Sequence, residues 1–293
     1  MSVFRSFLFA PGNHPRRTEK ALTLGADAVI LDLEDACPAA EKVATRPVVV
    51  AALQPSRTCL GYIRVNPIST AFGHRDIESA VRRGVDGLVA PKIETADELK
   101  TVDWLMYQIE REQGLTPGAI DLIPIIETGL GVRNVDAIAG AGTRARRLMF
   151  GAGDFTLDMD LAWSADEAEF APYRSAIVLA SRAAGLEAPI DTVWVDLRNA
   201  EGFARSAAAA RAMGFQGKLC IHPDQVPVVN AAFTPGAAQV ARARRIIEAF
   251  EAAEAAGSAA IQLDGQFIDY PFLYQAQRLL AVIARIEARR KPG

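Results

Sequence analysis

The stretch "DLIPIIETGL", residues 121–130, decides how this chain is read. Leu122, Ile123, Pro124, Ile125 and Ile126 form an apolar run with the length of a buried strand, and it stops at Glu127. A second stretch, "RLMFGAGDFT" at 147–156, runs apolar through Phe150, turns on glycines and presents Asp154. Both strands end on a carboxylate, and the question is what those carboxylates meet.

Similar runs recur along the chain. Strands are expected near 4–9, 28–33, 60–65, 86–91, 121–127, 147–151, 189–194 and 218–222. Helical patterns lie between or after them, at 15–25, 39–53, 74–83, 95–113, 131–140, 170–185, 199–213 and 236–256. The strands are apolar almost throughout rather than alternating, as expected of parallel strands covered on both faces. Eight strand–helix units in about 250 residues fit a (β/α)8 TIM barrel. An open doubly wound sheet is the rival. It would carry three glycines after its first strand, and "APGNHP" at 10–15 has one. "GADAVIL" (25–31) and "GVDGLVA" (84–90) each place a glycine before an apolar strand, consistent with a left-handed helix cap.

The domain reading is a catalytic barrel over 1–256 and a C-terminal extension over 257–293. In the extension Asp264-Gly265 reads as a hairpin turn and 271–290 as a helix. It could cover the barrel mouth or that of a neighbouring subunit.

Composition narrows the function. Half of the 293 residues are hydrophobic, enough for a sizeable core. A net charge of −3 with no basic block argues against nucleic acid. No run of about 18 apolar residues exists to span a membrane. Cys37, Cys59 and Cys220 are scattered and odd in number, which fits a reducing, cytoplasmic setting and no zinc site.

In a barrel of this type the C-terminal strand ends converge on one mouth. They place there Pro11, Gly12 and Asn13; Asp32, Glu34 and Asp35; Arg64 and Asn66; Lys92; Glu127; Asp154; and His222. Glu127 and Asp154 end consecutive strands, about 4.8 Å apart, so both can reach one ion. Two carboxylates with positions left for water and substrate oxygens suit Mg2+. Asp32, Glu34 and Asp35 could hold water around that ion. Ordinary helix caps or ion pairs would also account for Glu127 and Asp154. Arg64 can grip a carboxylate or an enolate oxygen, or simply pair with the "DLED" acids at 32–35. His14 and His74 read as surface residues, and His222 as a cavity or backbone contact. No Gly-x-Ser-x-Gly elbow suggests covalent catalysis.

Several linked motifs carry a resemblance. "RSFLFAPGNHPRRTEKALTLGADAVILDLEDA", "AEK", "YIRVNP", "IPIIETGLGV", "FGAGDFTLDM", "GKLCIHPDQV" and "DGQFIDYP" occur in order over almost the whole chain. Together they resemble the citrate lyase beta subunit family, within the wider aldolase/citrate lyase superfamily of malyl-, citramalyl- and citryl-thioester lyases. The resemblance implies a Mg2+-dependent, often trimeric TIM barrel that breaks or forms a C–C bond between an α-keto acid and an acyl thioester. It implies Glu127 and Asp154 as metal ligands, with Arg64 on the thioester carbonyl or substrate carboxylate. Pro11, Gly12 and the amides around Gly153 would lie along the keto acid, and Asp269, from an adjacent subunit, would act as acid/base. Partners would be a keto acid such as oxaloacetate and an acyl-CoA or acyl carrier protein thioester. Two alternatives remain: a class II pyruvate aldolase acting on free keto acids, which needs a histidine base, and a subunit active only with partner subunits.

Overall fold

Inward and outward side chains alternate along eight parallel strands, and that alternation sets the architecture. A computed structural model describes residues 4–54 and 56–290. The strands are β1 (Ser6–Pro11), β2 (Ala28–Asp32), β3 (Leu60–Arg64), β4 (Gly87–Ala90), β5 (Asp121–Ile126), β6 (Met149–Phe150), β7 (Ile190–Asp191) and β8 (Gly217–Cys220). Each pairs in parallel with the next, and β8 pairs back onto β1, so the sheet closes into a barrel. Closure excludes the open doubly wound sheet. Phe7, Ile30, Tyr62, Val89, Ile123, Ile125, Met149, Ile190 and Leu219 pack together as the interior. The alternate residues, among them Leu8, Leu31, Ile63, Leu88 and Leu122, join the helices in a larger outer core.

The helices around the barrel are α1 (Pro15–Ala21), α2 (Lys42–Ala52), α3 (Gly73–Ala80), α4 (Ala96–Glu112), α5 (Gly129–Arg133), α6 (Val135–Ala139), α7 (Ala152–Asp158), α8 (Ala171–Ala183), α9 (Ala200–Met213) and α10 (Gln225–Phe233). Thr95 caps α4 reciprocally with Glu98. Gly25 and Gly84, the two glycines expected before β2 and β4, have φ of 76° and 91°. Three expectations change. The helix expected over 131–140 is two short ones separated at Asn134. The glycine turn at 151–153 runs directly into a short helix, α7, within a stretch for which no helical span was expected. The eighth barrel helix is α10, which packs on β1, β8 and α9.

The chain forms two compact units, Phe4–Phe233 and a second beginning at Thr234. The second contains α11 (Ala237–Ala255), β9 (Ile261–Leu263), β10 (Gln266–Ile268) and α12 (Tyr270–Arg290). Helix α11, read from the sequence as the last barrel helix, packs on α12 and β9. Ala243, Ile246, Phe250, Ile268 and Leu273 form this unit's own core. Asp264 and Gly265 join the hairpin with φ of 49° and 76°, the left-handed pair that such a two-residue turn requires. No helix among the described residues is long and apolar enough to cross a membrane.

One outward-facing group in the barrel is ionic. Asp191 on β7 accepts from Lys218 Nζ at 2.5 Å and from Arg174 Nε at 2.7 Å. Arg174 also reaches Glu167 at 2.8 Å, and Ser206 donates to the same carboxylate. All five side chains are buried. Burial opposes ionisation of Asp191, but the two cations outweigh it and hold the carboxyl below its usual range. Removing one member of such a group leaves the others charged and unpaired. Asp191→Ala should therefore cost about 3–5 kcal/mol, read as a lower denaturant midpoint. An unchanged midpoint would contradict this account.

Candidate active site

Asp32, Arg64 and Glu127 each lie at or just past a strand end, in phase with the inward residues Ile30, Tyr62 and Ile125. Strand register sets Asp32 beside Arg64. The guanidinium donates through Nε to Asp32 Oδ1 at 2.7 Å and through Nη2 to Oδ2 at 2.6 Å. It lies over the Phe9 ring, 4.9 Å from its centre. Asp32 also accepts the backbone N–H groups of Glu34 and Ala36. Burial raises the Asp32 carboxyl, yet Arg64 and these donors hold it below the usual range. With both oxygens doubly engaged, Asp32 holds Arg64 and the 33–36 turn rather than water around an ion.

Arg64 is thus paired with the "DLED" acids, and its remaining nitrogen, Nη1, extends to Glu34 Oε2 at 3.0 Å and to Asp35 Oδ2 at 3.6 Å. Glu34 is buried, and burial raises its carboxyl above the ordinary value. Its other oxygen accepts from Lys92 Nζ at 2.6 Å. Lys92 Nζ also stands 3.1 Å from Asp154 Oδ1. A connected string therefore runs Asp32–Arg64–Glu34–Lys92–Asp154. The turn that carries Glu34 is fixed by Lys42, whose ammonium donates to the carbonyls of Leu33 and Glu34 and to Asn66. Asn66 in turn donates to Leu33 O and Asp76.

Glu127 follows β5 and is 2% exposed. It is not the cap of α5, because Thr128 takes that place and accepts from Gly131 N. Glu127 Oε1 accepts from the backbone N–H of Lys92 at 2.8 Å. Its Oε2 packs on Gly151, where any Cβ would overlap it. Burial, then the fields of Glu34 and Asp154, push the Glu127 carboxyl up to about 8 against the pull of Arg64 and Lys92.

Asp154 lies in the first turn of α7 and accepts no capping hydrogen bond from it. Ala152 N is satisfied by Thr192 Oγ1. The amides of Gly153 and Asp154 have no protein acceptor among the described residues. A Cβ built on Gly153 would meet nothing within 4 Å, so the space beside it is open. Pro11 pairs with Asp32 in the sheet. Gly12 donates to Asp32 O at 3.0 Å, and a Cβ there would strike Val49 and that carbonyl. Its glycine is required by packing.

Five carboxylates, Asp32, Glu34, Asp35, Glu127 and Asp154, therefore share one rim with two cations, Arg64 and Lys92. A divalent cation suits that excess of negative charge. Among the described residues no group of three or more His, Cys, Asp or Glu forms a ready cage. Glu127 and Asp154 would supply two ligands and leave the rest to water or substrate, the usual pattern for a small hard cation. No histidine among the described residues joins the group. His222 is half-buried and accepts from Asp224 N at 3.3 Å. Cys37, Cys59 and Cys220 are buried, and none forms a disulfide among the described residues. Asp269 belongs to the C-terminal unit, just before α12, where its carbonyl accepts from Phe272 N and Leu273 N. Its Oδ1 is buried with no hydrogen-bond partner among the described residues. Lys92 and Lys42 carry the largest unforeseen roles; both were visible, one at a strand end and one in "AEK".

A closed barrel with acidic strand ends on one rim defines a (β/α)8 enzyme class. The chain belongs to the HpcH/HpaI aldolase/citrate lyase family, whose model matches residues 5–223. It is an enzyme of the carbon–carbon lyase kind. The citrate lyase subunit beta of Leuconostoc mesenteroides subsp. cremoris is 36% identical over 282 residues, 94% of this chain and 92% of that protein. The mitochondrial citramalyl-CoA lyase of Homo sapiens is 30% identical over 301 residues, 97% and 87% of the two chains. The crystal structure of CitE from Mycobacterium tuberculosis with magnesium, acetoacetate and coenzyme A is similar with a TM-score of 0.77 at 30% identity, covering 96% of this chain and 98% of that one.

Gly151→Ala should leave the barrel folded and push Glu127 off its seat. Divalent-cation affinity, titrated by calorimetry, should then fall about tenfold or more, as when the outer partners of metal ligands are lost. Wild-type affinity in a folded variant would contradict the seat's role.

Proposed function

We propose that this protein is a magnesium-dependent lyase acting on a 3-hydroxyacyl thioester of the citryl-, malyl- or citramalyl-CoA type. The products are an α-keto acid such as oxaloacetate and an acetyl-type thioester. The observation that carries this reading is the rim itself: buried Glu127 and half-exposed Asp154, short of positive charge, beside an arginine already fixed in place. The relatives named above support the substrate class, since one is a citramalyl-CoA lyase and one was solved with magnesium and coenzyme A.

Glu127 and Asp154 would hold the ion, which would supply Lewis-acid polarisation of substrate oxygens and a lower pKa for the substrate hydroxyl. The free amides of Gly153 and Asp154, with Pro11 and Gly12 alongside, bind the keto-acid carboxylate. The substrate hydroxyl gives its proton to solvent water as its carbon becomes the keto carbon, and the electron pair of the breaking C–C bond passes to the thioester side as an enolate. Arg64 faces that developing charge. Asp32 grips two of its nitrogens, so it needs little reorganisation as charge builds. Asp269, supplied by a neighbouring copy, gives the enolate carbon its proton, or removes it in the synthetic direction. A homotrimer and a cytoplasmic setting accompany this reading. The class II aldolase alternative loses ground, because no histidine among the described residues stands with the carboxylates.

Purified protein with magnesium, offered citryl-, malyl- and citramalyl-CoA, should release a keto acid from at least one. Glu127→Ala and Asp154→Ala should each abolish that release, and a chelator should do the same reversibly. Wild-type-like rates in both variants after metal repletion would refute the ligand assignment. Binding of magnesium and oxaloacetate without cleavage of any thioester would favour a subunit that needs partners.

A further inference from the structure

Lys92 ends β4 in an unusual way. Its φ is 51°, in the left-handed region, although it is not a glycine. A non-glycine residue keeps such a backbone only where its surroundings over-determine it, and such residues gather at functional sites. Here the surroundings are identifiable. The backbone N–H of Lys92 donates to Glu127 Oε1, 2.8 Å away, and the left-handed φ sets where the side chain leaves relative to that N–H. The same residue sends its ammonium to Glu34 Oε1 at 2.6 Å and to Asp154 Oδ1 at 3.1 Å. Asp35 Oδ2 lies 3.9 Å off. The side chain is 31% exposed, so this is a rim residue.

One residue thus touches both carboxylates proposed as ion ligands, one through its backbone and one through its side chain. It also closes the string that begins at Asp32 and Arg64. We infer that Lys92 is a positioning residue: it sets the spacing of Glu127 and Asp154 and locks that pair in register with Arg64 through Glu34. The inference rests on reading Glu127 and Asp154 as the cation ligands. It deepens that reading by naming what holds the two ligands in place.

A rival role has the opposite sign. An ammonium beside two carboxylates also repels an incoming cation. If repulsion were its main effect, removing it would tighten ion binding. If Lys92 positions the ligands, removing it weakens binding even though a like charge has gone. Lys92→Met deletes the ammonium and keeps the chain's length and backbone N–H. Lys92→Arg restores a cation.

The test is calorimetric titration of each folded variant with magnesium, joined by a crystal structure of Lys92→Met. Positioning predicts affinity about tenfold or more weaker in Lys92→Met, the scale of lost outer contacts to metal ligands. It also predicts partial recovery in Lys92→Arg, and an Asp154 carboxylate displaced in the crystal. With a cleavable thioester, kcat should fall while KM stays near that of wild type, because Arg64 and the ion site lose their mutual register. Unchanged or tighter magnesium binding in Lys92→Met, or both carboxylates unmoved in the crystal, overturns the inference. Wild-type protein that binds no magnesium, with Asp154 displaced in the variant, would sink the ligand reading and leave the positioning role standing.

Discussion

Glu127 ends an apolar strand as a buried carboxylate, and the arrangement around it answers that placement. Taking a lone carboxylate out of water costs several kcal/mol unless a partner replaces the lost hydration. The chain supplies one backbone N–H, from Lys92, and one bare surface, Gly151. Burial above all, and then the fields of Glu34 and Asp154, push the carboxyl up to about 8. A rim built this way stores an unmet demand for positive charge. That demand separates it from the buried ionic group around Asp191. There Asp191 and Glu167 are matched by Arg174 and Lys218, and the group reads as stabilising.

The two sides of the mouth are engineered differently. On the β2–β3 side nearly every polar atom is already spoken for. Asp32 grips Arg64, Lys42 clamps the turn at 33–34, and Asn66 ties that turn to Asp76. That side is preorganised, and what it has left to give is the Nη1 end of Arg64, which faces Glu34 and Asp35 as an ion pair without an aligned hydrogen bond. On the β5–β6 side the groups are underused. Glu127 has one donor, and the amides of Gly153 and Asp154 have no protein acceptor among the described residues. Substrate and ion chemistry belongs on that second side, with the first serving as its fixed wall. Glu34 and Lys92 join the two.

Much of this was legible in the sequence. Parallel strands covered on both faces read as apolar runs, so all eight were found, and the charged residues that follow β2 to β6 marked the mouth. The hairpin was legible because Asp264-Gly265 can adopt the paired left-handed conformation. Other features were not. Helix α7 is too short to show a period, and "AGDFTLD" reads as a turn. Helix α10 carries Pro227 in its first turn and two adjacent valines, which mask it. The left-handed backbone of Lys92 is invisible because nothing in a lysine announces positive φ. The seat at Gly151 depends on the next strand, which local sequence cannot express. Lys218 and Asp191 gave a signal that was passed over: charged residues inside apolar strands need buried partners.

The measurement closest to the centre of this account is a crystal structure of the protein soaked with magnesium and oxaloacetate. The account predicts a single ion bonded by one oxygen of Glu127 and one of Asp154, with the keto acid completing its shell within reach of the Gly153 amide. An ion bound elsewhere on the barrel, or a rim that stays bare with both carboxylates turned apart, would contradict it.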